Sequence, residues 1–118
     1  MAVTITEYNG YPVKKIKFVV TSIADGSASG ATPNRWNGEV VRFVAVPDGG
    51  GTQPTDQFDI ALNDSDGYDV LAGQGANLGN AAVSTKVASM GAVCNSALTL
   101  SASNMGNAKG ATFYVYLR

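Results

Sequence analysis

Apolar and polar residues alternate along most of the chain, and a period of two predicts strands. Val3, Ile5 and Glu7 share one face of a strand over Val3–Tyr8. Asn9-Gly10 follows, a hairpin signal in which both turn residues take positive φ. Residues 12–23 supply the partner strand, with Ile16, Phe18 and Val20 on one side and Lys15 and Lys17 on the other. That pattern buries one face and wets the other, as in an antiparallel sheet. Pro12 fits the start of this strand or an edge.

Residues 25–34 are small and polar and predict a mobile loop, closed at residues 35–38 by a second Asn-Gly turn signal. In the next strand, 39–46, Val41, Phe43 and Ala45 alternate with Val40, Arg42 and Val44. Both faces are largely apolar, so this strand is central or covered on its outer side. Residues 47–54, rich in Gly and Pro, read as a loop through which no helix or strand runs. Residues 57–63 alternate most cleanly, with Phe58, Ile60 and Leu62 inward. A turn at 64–67, a short strand at 68–71 and a Gly/Asn loop at 72–80 follow.

Residues 81–94 admit two readings. Val83, Val87 and Met90 suit a helix capped by Asn80 and ended by Gly91; Val83, Thr85 and Val87 suit a strand. The β neighbours favour the strand. Residues 97–102 form another, with Leu98, Leu100 and Ala102 inward, and residues 103–110 a last loop. In the final strand, 111–117, Phe113, Val115 and Leu117 oppose Tyr114 and Tyr116. Seven to eight strands separated by turns, with no internal repeat or linker, predict one all-β domain over 1–118. Its architecture is a single antiparallel β-sandwich or a barrel, jelly-roll-like in outline.

Composition narrows the chemistry. Thirteen Val and four Ile against six Leu favour strands over helices. Eight Lys and Arg against nine Asp and Glu leave no general basic field for the phosphates of a nucleic acid. The chain has no His, which removes the commonest general base and metal ligand. One Cys allows no internal disulfide, and Cys94 reads as a small buried hydrophobe. No apolar run reaches the roughly 18–20 residues of a membrane span, and no basic n-region followed by an apolar h-region opens the sequence, so no signal peptide is expected. Synthesis and folding in a cytoplasm are therefore expected.

Several side chains stand out. Asp56, Asp59, Asp64, Asp66 and Asp69 crowd into one stretch. Aligned on Gly67, an EF-hand loop would need acids where Leu62 and Gly73 stand, so Asx-type turns are the better reading and no metal is expected. Gly49-Gly50-Gly51 and Gly73-x-Gly75 lack the Lys of a phosphate-binding loop. With no nucleophile motif and no His, neither an enzyme nor a cofactor is expected. Arg35 and Trp36 are candidate interface anchors or a lid on one end of the sandwich. In the first case Trp36→Ala weakens assembly; in the second it damages the fold. Tyr114 and Tyr116 form an aromatic stripe suited to a neighbouring subunit or a sugar. Lys14, Lys15 and Lys17 make a basic patch that an Asp-rich loop of another copy would complement. The candidate interface residues are thus Arg35, Trp36, Asp56, Tyr114 and Tyr116.

Longer stretches carry a family resemblance. VAVPDGG at 44–50, PTDQFDI at 54–60 and DSDGYDVLAGQGAN at 64–77 resemble a family of small structural proteins of tailed bacteriophages. TITEY at 4–8, GAV at 91–93, LTL at 98–100 and the ending from NAKG at 107–110 to Arg118 are similar too. The resemblance implies a virion component and brings no catalytic residues with it. The expectation is a capsid decoration, or cement, protein on the head surface. It would bridge capsomers, with the major capsid protein and its own copies (a small homo-oligomer such as a trimer) as partners, and with no nucleic acid or membrane. Its contact regions would be residues 25–38, the first strand and the acidic loop 48–69. Alternatives are a neck, tail or fibre-associated protein and a carbohydrate-binding module.

Overall fold

The computed structural model describes residues 3–118. Nine strands are formed among them: β1 (Val3–Tyr8), β2 (Lys14–Thr21), β3 (Ala28–Ala31), β4 (Trp36–Pro47), β5 (Asp59–Asn63), β6 (Ser84–Val87), β7 (Ala92–Ser96), β8 (Thr99–Ser103) and β9 (Gly110–Leu117). All pairings are antiparallel. One sheet runs β1-β2-β9-β4-β6, with β7 also on β4; the other runs β3-β8-β5. Neither order returns on itself, so the two sheets form a sandwich and not a closed barrel.

The predicted alternation explains the core. Registers place Ile5 opposite Phe18, Phe18 opposite Phe113 and Phe113 opposite Ala45, so one apolar row crosses four strands, buried in three of them and half-buried at Ile5. Phe113 stacks on Phe43 at 5.9 Å between ring centroids. It also meets Phe58, which precedes β5 in the other layer, at 6.2 Å and a tilted angle. Leu62 pairs with Leu100 and Ile60 with Ala102 to supply the facing layer. The buried apolar residues other than Val44 form one cluster spanning both sheets.

Several expectations need correction. The β1–β2 hairpin forms, but not through a two-residue turn at Asn9-Gly10: neither residue takes positive φ, and the last pair is Tyr8 with Lys15. A tight turn there would set Ile5 opposite Lys14, whereas the observed register sets Ile5 opposite Phe18 and Val3 opposite Val20. Burial of matched apolar rows decides the register. Residues 25–34 are not one loop, since β3 runs through them against β8. Small residues are needed here because the sheets close tightly: a Cβ on Gly30 would lie 2.8 Å from Val3 Cβ. The start of this segment is also braced, because Asp25 accepts the Ser27 hydroxyl at 2.6 Å and the Ser27 N–H at 3.0 Å. These bonds hold the Asp25 carboxyl below its usual pKa. They tighten the turn at neutral pH and loosen as pH falls through that lowered value.

Residues 35–38 do not turn. β4 begins at Trp36 and passes through Gly38, whose φ of +131° sits at a register shift. A second shift between Val40 and Arg42 puts Val40 on the buried side with Phe43, in place of Val41. These irregularities also decide residues 81–94. A helix would leave the edge of β4 without partners. Instead β6 pairs with residues 42–45 and β7 with residues 36–39, one strand on each side of the break. Residues 50–52 form a 3-10 turn inside the loop expected to hold no helix, with Gln53 N–H donating to Gly50 O at 3.1 Å. Residues 68–71 form no strand, only a single bridge between Asp69 and Asn63.

Cys94 is exposed rather than buried. Its neighbour Val93 takes the inward position of β7, so the thiol points out. A maleimide is therefore expected to modify Cys94 in the native chain as fast as in urea, without lowering the melting temperature. Protection until unfolding would return the thiol to the core.

Candidate functional site

The outer face of the larger sheet gathers the residues best suited to binding. The registers align Tyr8, Lys15, Tyr116, Arg42 and Val87 in one row across five strands. The next row holds Thr6, Lys17, Tyr114, Val44 and Thr85. Thr4, Val19, Thr112 and Val46 continue the face. None of these positions carries a carboxylate, and three carry cations. Tyr8, Val19 and Val87 stand among the exposed large hydrophobics of the molecule, although a sheet face left to water usually presents polar residues.

The cations lie across the rings. Lys15 Nζ sits 4.4 Å from the Tyr8 ring centroid and 5.8 Å from that of Tyr114. Lys17 Nζ lies 6.0 Å from Tyr114, and Arg42 Cζ 5.0 Å from Tyr116. Each such contact contributes about 0.5–1 kcal/mol at an exposed site. More important for binding, it restricts long side chains before a partner arrives, so less rotamer entropy is lost on docking. The charge covers the ring faces that a sugar would stack on.

The other sequence candidates lie elsewhere. Trp36 is buried, 4% exposed, and its Nε1–H donates to Glu7 Oε2 at 3.1 Å. It is a lid on the sandwich end and not an exposed anchor. Arg35 beside it is exposed and donates to Asn95 O at 2.9 Å. Glu7, Lys14, Asn34 and these two residues line an end cavity of about 370 Å³. Its polar groups are already committed: Glu7 also accepts from the Asn34 side chain, and Lys14 donates to Asn37 O.

Asp56 is exposed on the acidic stretch and accepts the Asn80 N–H at 3.1 Å. Its neighbours build turns in the same way. Asp64 accepts the N–H groups of Asp66 and Tyr68, and Asp69 those of Leu62, Leu71 and Gly73. Asp59 accepts from Asn77 and Asn104. Among the described residues no three His, Cys, Asp or Glu side chains converge as a metal site.

The structure thus joins Tyr114 and Tyr116 to Lys15 and Lys17 and separates them from Arg35, Trp36 and Asp56. Sequence reasoning missed Tyr8, Arg42 and Val87 as members of the face. Each alternates outward in its own strand, but only the strand order puts them in one row. The result is an antiparallel β-sandwich with an unpartnered cationic and aromatic sheet face. No family model matches the chain, and no curated protein is detectably similar to it.

Proposed function

We propose that this chain is a non-enzymatic virion structural protein, a capsid decoration protein that docks on the head of a tailed bacteriophage and bridges capsomers. The observation that carries the binding half of this reading is the outer face of the larger sheet, a surface for contacts between subunits of the shell. Its three named rows are aromatic and cationic and hold no carboxylate, with cations set over rings; Glu39, farther along β4 beside β7, accepts the Ser89 hydroxyl. Tyr and Arg are the residue types that anchor protein interfaces. The virion half is supported by the resemblance of residues 44–77 and the chain's two ends to small phage structural proteins. Mechanically, a sandwich whose sheets share one core transmits load between whatever its surfaces hold. Many weak attachments on one shell act together as a durable one.

Copy number per particle tests the proposal. Quantifying the chain against the major capsid protein in purified virions is expected to give hundreds of copies. About six to twelve would place it in a cyclic neck or tail assembly. Its absence from particles would overturn the virion reading.

A further inference from the structure

We infer that the cationic sheet face is the docking surface for the acidic rim of a second copy of this chain. The inference rests on reading that face as a protein-binding surface, and it adds the occupant.

Charge is segregated along the chain. Between Arg42 and Lys86 there is no Lys or Arg, while six Asp fall within that span. Five of these belong to β5 or the segments around it, and β5 is part of the smaller sheet. Lys15, Lys17 and Arg42 project from the larger sheet on the far side of the sandwich. One copy therefore cannot bring the two together. The internal partners agree with this. Lys14, Arg35 and Lys109 donate to backbone carbonyls, and Lys15, Lys17 and Arg42 lie on rings. Asp48, Asp56, Asp59, Asp64 and Asp69 accept from N–H or O–H groups. None of these bonds pairs a cation with a carboxylate.

A groove of about 430 Å³ lies between Asp59 and Asp69, with Ala61, Ala76 and Ala102 in its walls. Asp59 and Asp69 spend both oxygens on internal N–H donors, so the exposed Asp56 and Asp66 of the same acidic stretch are the carboxylates that meet the Lys and Arg heads of the next copy. The face of one copy then meets the rim of the next. That contact is heterologous, and it closes into a ring when the rotation between copies permits.

Sedimentation of the full chain across ionic strength tests the inference. Wild type is expected to associate at low salt, with the association weakened about tenfold or more at high salt as screening sets in. Lys15→Glu/Lys17→Glu is expected to be monomeric throughout, and so is Asp56→Lys/Asp66→Lys. Mixing the two variants is expected to restore association, because the reversed face meets the reversed rim. Arg42→Glu provides an independent face variant if the double change impairs folding. A wild type that stays monomeric at every salt and concentration would overturn the inference. So would association that salt strengthens, or that charge reversal leaves unchanged. These readouts need no virion: a chain that associates as described but is missing from particles defeats the decoration reading alone.

Discussion

Trp36→Ala is expected to lower stability by about 3–5 kcal/mol, the range for removing a large aromatic from a core. Trp36 is 4% exposed and belongs to the central apolar cluster. Its ring closes the sandwich end where β4 begins, and truncation leaves a void the two sheets cannot collapse around. A domain of ordinary stability holds only about 5–15 kcal/mol, so the variant is marginal or unfolded. Trp36→Phe separates packing from the polar contact. It keeps a six-membered ring in the core and loses the rest of the indole with its Nε1–H donation to Glu7, whose carboxylate retains the Asn34 side chain and N–H. Its expected loss is about 1–2 kcal/mol. Urea melts followed by circular dichroism give both values. An alanine variant with the wild-type midpoint and impaired assembly would restore Trp36 to an interface.

The contrast shows which parts of this fold are legible in sequence. Strands with one buried face announce themselves: the alternation in β2, β5, β8 and β9 names Phe18, Ile60, Leu100 and Phe113 as core, and all four are buried. Segments whose form depends on a neighbour do not. β3 is Ala-Ser-Gly-Ala, with no pattern of its own, and it is a strand because β8 pairs with it and Val3 leaves no room for a Cβ at Gly30. Residues 81–94 suited helix and strand alike until the two register shifts of β4 supplied broken, open edges to fill. Trp36 carries no local sign of burial, since its lid position comes from Glu7, 29 residues away. The binding face shows the same limit. The Tyr114/Tyr116 stripe is visible in one strand, but Arg42 and Tyr8 join it only through the strand order.

The acidic stretch gives the second large prediction: Asp69→Ala is expected to cost about 2–4 kcal/mol, because one side chain satisfies three backbone donors. Asp69 Oδ1 accepts the N–H groups of Leu62 and Leu71, and Oδ2 that of Gly73, each at 3.0 Å. Leu62 lies in β5, whose other neighbour is β8, so its N–H points to the open edge of the smaller sheet. That edge is covered by a folded-back segment and not by another strand. Ile60 N–H donates to Gly75 O, Leu78 N–H to Phe58 O, and Val70 N–H to Leu62 O. The same segment delivers Val70, Leu71 and Leu78 to the core. Asp69 is its clasp, and losing the clasp frees both the segment and an unpaired edge prone to intermolecular pairing. Asp69→Asn retains one carbonyl oxygen and is expected to lose about half as much. Asp66→Ala is expected to stay within about 0.5 kcal/mol, because Asp66 is exposed and the turn there is held by Asp64. This ordering separates a turn-building role from metal binding. A calcium site would add stability in proportion to RT ln(1 + [L]/Kd), so the wild-type melting temperature would climb with added calcium. A flat calcium response with Asp69→Ala far below Asp66→Ala assigns the cluster to the backbone of its own edge. Calcium stabilisation abolished equally by either change would overturn that assignment.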